Sequence, residues 1–76
     1  MNYDLAMMAL AGLTRAQLTV RVERGRVTIS GNASAFKELA RLCLLLGGAS
    51  TTEESFELQP SAHVSNGSPG LKLELS

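Results

Sequence analysis

The 76-residue chain contains one cysteine, one histidine and no tryptophan. A lone Cys43 excludes an internal disulfide, and the single His63 leaves no His/Cys cluster with zinc-ligand spacing. No cofactor is expected. Aromatic residues make up only 4% of the chain. No apolar run approaches the ~20 residues needed to cross a bilayer, and the run at 42–46 stops after five. The apolar N-terminus lacks the basic start of a secretory signal, since Asp4 is the only charge before Arg15. Together with the free thiol, this points to a cytoplasmic location.

Net charge is zero, which falls short of the basic footprint of a nucleic-acid binder. The charges are unevenly spread, however. Residues 15–41 hold Arg15, Arg21, Arg24, Arg26, Lys37 and Arg41 against Glu23 and Glu38. Residues 42–76 hold Lys72 against Glu53, Glu54, Glu57 and Glu74. The first half is basic and the second acidic.

With 45% hydrophobic and 18% charged residues, the composition is that of an ordinary globular protein rather than a disordered one. The length allows one domain, residues 1–76. A chain of this size buries only about 60% of the surface its unfolded form exposes, so its own core is marginal. Small domains commonly add a disulfide, a metal or a partner chain. Only the last is open here, besides a well-packed core.

Residues 17–30 carry the clearest local signal. Leu18, Val20 and Val22 alternate with polar residues, and so do Val27 and Ile29 beyond Arg24 and Gly25. Period two on both sides of a glycine turn predicts a β-hairpin. Pairing Val22 with Val27 and Val20 with Ile29 keeps all five apolar side chains on one face. A three-residue loop would mix the faces, and a slip of one residue turns every side chain over. The same register sets Glu23 across from Arg26.

Gly31 and Asn32 then break the strand, and Asn32 or Ser34 can cap a helix over 33–46. Phe36, Leu39, Ala40 and Cys43 fall at i, i+3, i+4 and i+7, which reads as the core-facing side, with Lys37, Glu38 and Arg41 opposite. Gly47 and Gly48 are expected to stop the helix with a positive φ. Residues 1–16 form an N-terminal helical segment, expected to end at Gly12. Residues 49–52 read as a linker. Strands follow at 54–59 and 71–75, separated by a polar, turn-rich loop of the length often found to be functional or mobile. The expected fold is α+β: a β-β-α-β-β domain, mostly antiparallel, with one helix packed on one face of the sheet. The helix can run back across the sheet and leave the third strand parallel to the second; if both lie in one sheet, the crossover is right-handed.

Chemistry-bearing residues are sparse. His63 has no partners at any catalytic or ligand spacing, and Cys43 on the apolar helix face reads as a small buried thiol. Glu53 and Glu54 are adjacent, so in a strand they point to opposite faces and form no dyad. A glycine and an asparagine before a helix suit capping better than phosphate binding. No enzymatic activity is expected. Arg21 shares the outer hairpin face with Thr19 and Thr28, and Arg24 and Arg26 stand at the tip, a patch suited to an acidic protein partner. Phosphates would also suit it, but the hairpin has none of the aromatics that base-stacking readers use.

The strand ending in Val-Thr-Ile-Ser-Gly-Asn at 27–32, the helix with Phe36, Leu39, Ala40 and Cys43, and late strands split by a polar loop resemble the immunity protein 32 family of bacterial polymorphic-toxin systems. The likeness covers residues 26–76. It implies a bacterial, non-enzymatic protein that neutralises a cognate toxin by binding it. Family members commonly carry histidines in the third strand. Residues 54–58 have none, so no functional residue carries over.

The expected function is thus protein binding, with toxin neutralisation as its specific form. The alternative is a self-associating structural or adaptor subunit, and a nucleic-acid-binding module stands third. Self-association as a homodimer is expected through Leu42, Leu45, Leu46, Met7 and Met8, because the last turn of the helix is apolar all round and one sheet covers one face. The competing expectation is that the N-terminal segment covers these leucines within one chain.

Overall fold

The computed structural model describes residues 3–48 and 54–75. The linker expected at 49–52 and Glu53 lie outside them. Two helices and two hairpins are arranged as α1 (Tyr3–Arg15), β1 (Thr19–Glu23), β2 (Arg26–Ser30), α2 (Ala33–Gly47), β3 (Ser55–Leu58) and β4 (Leu71–Glu74).

The first hairpin has the register that parity dictates: Val22 faces Val27, Val20 faces Ile29 and Glu23 faces Arg26. Arg24 (φ 52°) and Gly25 (φ 77°) make the two-residue turn. Positive φ at both positions belongs to the turn type whose twist matches that of the strands. In the second hairpin Phe56 faces Leu73 and Leu58 faces Leu71, while Glu57 sits across from Lys72.

The two hairpins are separate antiparallel sheets. This corrects the expectation of a single sheet. The loop between β3 and β4 accounts for much of the difference, because it takes the free edge of β1. The Leu18 N–H donates to the His63 carbonyl (3.1 Å), and the Ser65 N–H donates to the Leu18 carbonyl (2.7 Å). The Val20 N–H donates to Ser68 Oγ (3.1 Å). A strand edge has to be paired or covered, and here a loop covers it. The loop is thereby docked, with Val64 fully buried.

Helix α2 is capped by Asn32, whose Oδ1 accepts from the Ala35 N–H at 2.8 Å. It ends without a left-handed residue: Gly48 has φ −97°, and its N–H bonds to the Leu44 carbonyl at 3.1 Å. The buried face also differs from the expected one. Ala35, Glu38, Leu42 and Leu46 point inward, whereas Phe36 and Leu44 are exposed, as are Ala40 and Cys43. The helix carries two apolar stripes about a quarter-turn apart, and α1 packs on the one that includes Leu42.

Helix α1 runs through Gly12 to Arg15, past its expected end. Gly12 lies against the Glu38 side chain of α2. A Cβ there would stand 2.3 Å from Glu38 Oε2 and 2.8 Å from its Cγ, so the glycine serves packing and not termination. Ala6, Ala9 and Leu13 form the buried side of α1. They share one core with Leu42 and Leu46 of α2, Leu18 and Val20 of the β1 segment, Phe56 and Leu58 of β3, and Val64. Burying a leucine such as Leu42 contributes about 1.5–3 kcal/mol.

Candidate functional site

The first hairpin is held at its base and free at its tip. Leu18 and Val20 are buried and Ile29 is half-buried, but Val22 and Val27 are 61% and 59% exposed. The outer half of the hairpin therefore extends past the core that its base joins. Both of its faces are available there.

One face carries the arginines. Arg21, Glu23, Arg24, Arg26 and Thr28 line a cleft of about 420 Å³. Cross-strand pairing puts Arg21 opposite Thr28 and Arg26 opposite Glu23, so three guanidiniums surround one carboxylate. None of the three forms an ion pair among the described residues. Arg24 is the informative one. A non-glycine side chain in the left-handed region costs on the order of 1 kcal/mol, and Asn or Gly is the usual choice at this turn position. An arginine here keeps a guanidinium at the tip of the hairpin at some expense in stability. The base of this outer face is closed, because Thr19 Oγ1 is hydrogen-bonded to Ser65 Oγ at 3.0 Å.

The other expected residues fall elsewhere. His63 is half-buried in the docked loop, where its Nδ1 accepts from the Gln59 N–H at 3.1 Å. That bond places the ring proton on Nε2 and makes the imidazole a turn-stabilising acceptor. Cys43 is exposed on the outer side of α2, not buried as expected. Leu42 and Leu46, expected at a self-association surface, are inside the chain's own core, and Leu45 packs half-buried against it. Met7 and Met8 are exposed. Among the described residues no group of His, Cys, Asp or Glu is placed to hold a metal ion, and no helix is long and apolar enough to cross a membrane.

Two features of the tip escaped the sequence reading. One is the exposure of the Val22–Val27 pair, since alternation identifies an apolar face but not how far along it the cover reaches. The strain at Arg24 was legible in principle, because a two-residue loop spelled Arg-Gly forces a positive φ on the arginine. Comparison of the chain with family models, curated proteins and solved structures returns no match.

Proposed function

We propose that this chain is a non-enzymatic protein-binding domain that presents the β1–β2 hairpin to an acidic surface of its partner. The observation that carries the reading is Arg24, a residue kept in a costly conformation at the tip with Arg21 and Arg26 beside it. Strain retained at a surface position is accounted for by a role outside folding. Val22 and Val27 supply apolar contact area next to that charge. A tip of this kind can seat its valines on an apolar spot while the guanidiniums steer encounter.

Neutralisation of a cognate bacterial toxin is the specific form of this reading. It rests on the likeness of residues 26–76 to immunity proteins, whose binding-only mechanism calls for no catalytic groups. Of the residues expected to self-associate, Met7 and Met8 are exposed and Leu45 is half-buried, whereas Leu42 and Leu46 are already covered.

The test starts with paired pull-downs from the source cell, using the wild type and Arg24→Glu/Arg26→Glu as baits. The partner retained only by the wild type is then mixed with each in stopped flow across a salt series. The double variant is expected to associate more slowly, with the largest deficit at low salt. Equal rates at every salt concentration would move the contact off the hairpin. Retention of a toxin encoded beside the chain supports immunity. Co-purifying nucleic acid with a steep salt dependence would replace protein binding by the third reading.

A further inference from the structure

A second groove, which shares no residue with the hairpin cleft, runs between α1 and α2. The helices are antiparallel: Leu5 stands beside Leu44 and Leu45 at one end, Gly12 meets Glu38 in the middle, and Ala16 lies beside Asn32 and Ser34 at the other end. Two clefts, of about 300 Å³ and 560 Å³, follow this line and share Arg41. Together they form one groove. From Leu5 to Ala16 it extends about 16 Å, or three helical turns.

Its ends differ in chemistry. One is apolar, with Leu5 49% and Leu44 76% exposed and Leu45 beneath them. The other holds Arg15 and Lys37, with Arg41 between the ends. Among the described residues the only carboxylate lining the groove is Glu38, which is turned inward against Gly12 and already bonded to Arg41. An uncompensated positive end beside exposed leucines selects an occupant with both carboxylates and apolar side chains. A groove between two helices can take an amphipathic helix laid along it with its apolar side inward.

We propose that this groove receives an acidic amphipathic helix of a partner protein. Apolar residues of that helix at i and i+3 or i+4 seat on Leu5, Leu44 and Leu45, the usual anchor pattern for a helix in a groove. Its carboxylates face Arg15 and Lys37. The site lies on a different surface from the hairpin, so either can fail without the other.

The probe is a fluorescein-labelled peptide of about 18 residues, long enough to form a helix on binding, with leucines along one face and glutamates flanking them. A second peptide has lysine in place of every glutamate. Fluorescence anisotropy should show saturable binding of the acidic peptide alone. Amide shifts should centre on Leu5, Lys37, Arg41 and Leu44. Leu44→Asp alters only an exposed side chain and should abolish binding. Arg15→Glu/Lys37→Glu should weaken it roughly tenfold, and Arg24→Glu/Arg26→Glu should bind as the wild type does. Equal affinity for both peptides, no saturation, or indifference to Leu44→Asp would overturn the proposal. A wild-type dimer in sedimentation that Leu44→Asp dissolves would overturn it too, by giving the groove to a second copy of the chain.

Discussion

Replacing Gly12 with alanine sets two effects against each other. In a helix interior alanine is favoured over glycine by about 1 kcal/mol, so on propensity alone the change should stabilise α1. The new Cβ, however, would lie 2.3 Å from Glu38 Oε2, 2.7 Å from its Cδ and 2.8 Å from its Cγ. The whole side chain has to move, not only its tip, and it leaves Arg41 as it does so. Overpacking of this kind costs about 1–3 kcal/mol, so Gly12→Ala should destabilise by about 1 kcal/mol net. In a Glu38→Ala background the obstruction is gone, and the same Gly12→Ala change should stabilise by about 1 kcal/mol. The coupling between the two positions is then about 2 kcal/mol, within the range for residues in direct contact. Urea unfolding of the four proteins, followed by far-ultraviolet circular dichroism, gives all the terms. For a domain of this size 1 kcal/mol corresponds to about 4–8 °C in Tm, so melts provide a second reading. If Gly12→Ala alone is more stable than the wild type, Glu38 swings into solvent at little cost and the helix crossing is not tight. A coupling under about 0.5 kcal/mol leads to the same conclusion.

Ser68→Ala should destabilise by about 1–3 kcal/mol, because it leaves the Val20 N–H without its acceptor at a buried edge; denaturant titration measures it, and a neutral result would mean that the loop is not what closes β1. Arg24→Asn should stabilise by a few tenths to about 1 kcal/mol, since asparagine tolerates the left-handed region; the same variant should bind the partner more slowly, so a gain in both properties would count against a functional arginine. Cys43→Ser, at an exposed position, should change neither the melt nor partner binding. His63→Ala should cost about 1 kcal/mol through the lost Gln59 bond and leave binding intact; loss of binding in a folded His63→Ala protein would overturn the non-catalytic reading.

The register of the first hairpin and the N-cap of α2 are legible in the sequence because what sets them is itself local, whereas the stop expected at Gly12 and the positive-φ stop expected after α2 do not form. The register of the first hairpin follows from parity alone, because side-chain direction in a strand alternates and only an even loop keeps Val20, Val22, Val27 and Ile29 together. The Asn32 cap and the strands around Phe56 and Leu73 are likewise set within a few residues. The arginine cluster was also legible, since cross-strand pairing brings Arg21, Arg24 and Arg26 to one end of the hairpin. Its reach beyond the core was not.

Sequence periodicity by itself therefore determined the elements, their boundaries to within a few residues and the pairing inside the first hairpin. Which of two apolar stripes on α2 faces inward was decided only by tertiary structure. Phe36, Ala40 and Cys43 satisfy helical spacing as well as Ala35, Leu42 and Leu46 do. What selects the second set is that α1 packs there, burying Ala6, Ala9 and Leu13 in one core with Ala35, Leu42 and Leu46 and leaving room at Gly12 for Glu38. The separation of the two sheets was decided in the same way. The β1 edge could have taken a strand, but Leu18 and Val20 bond instead to His63, Ser65 and Ser68, more than 40 residues further along the chain. No local pattern encodes a contact made over that distance, because it depends on where the rest of the chain has already packed.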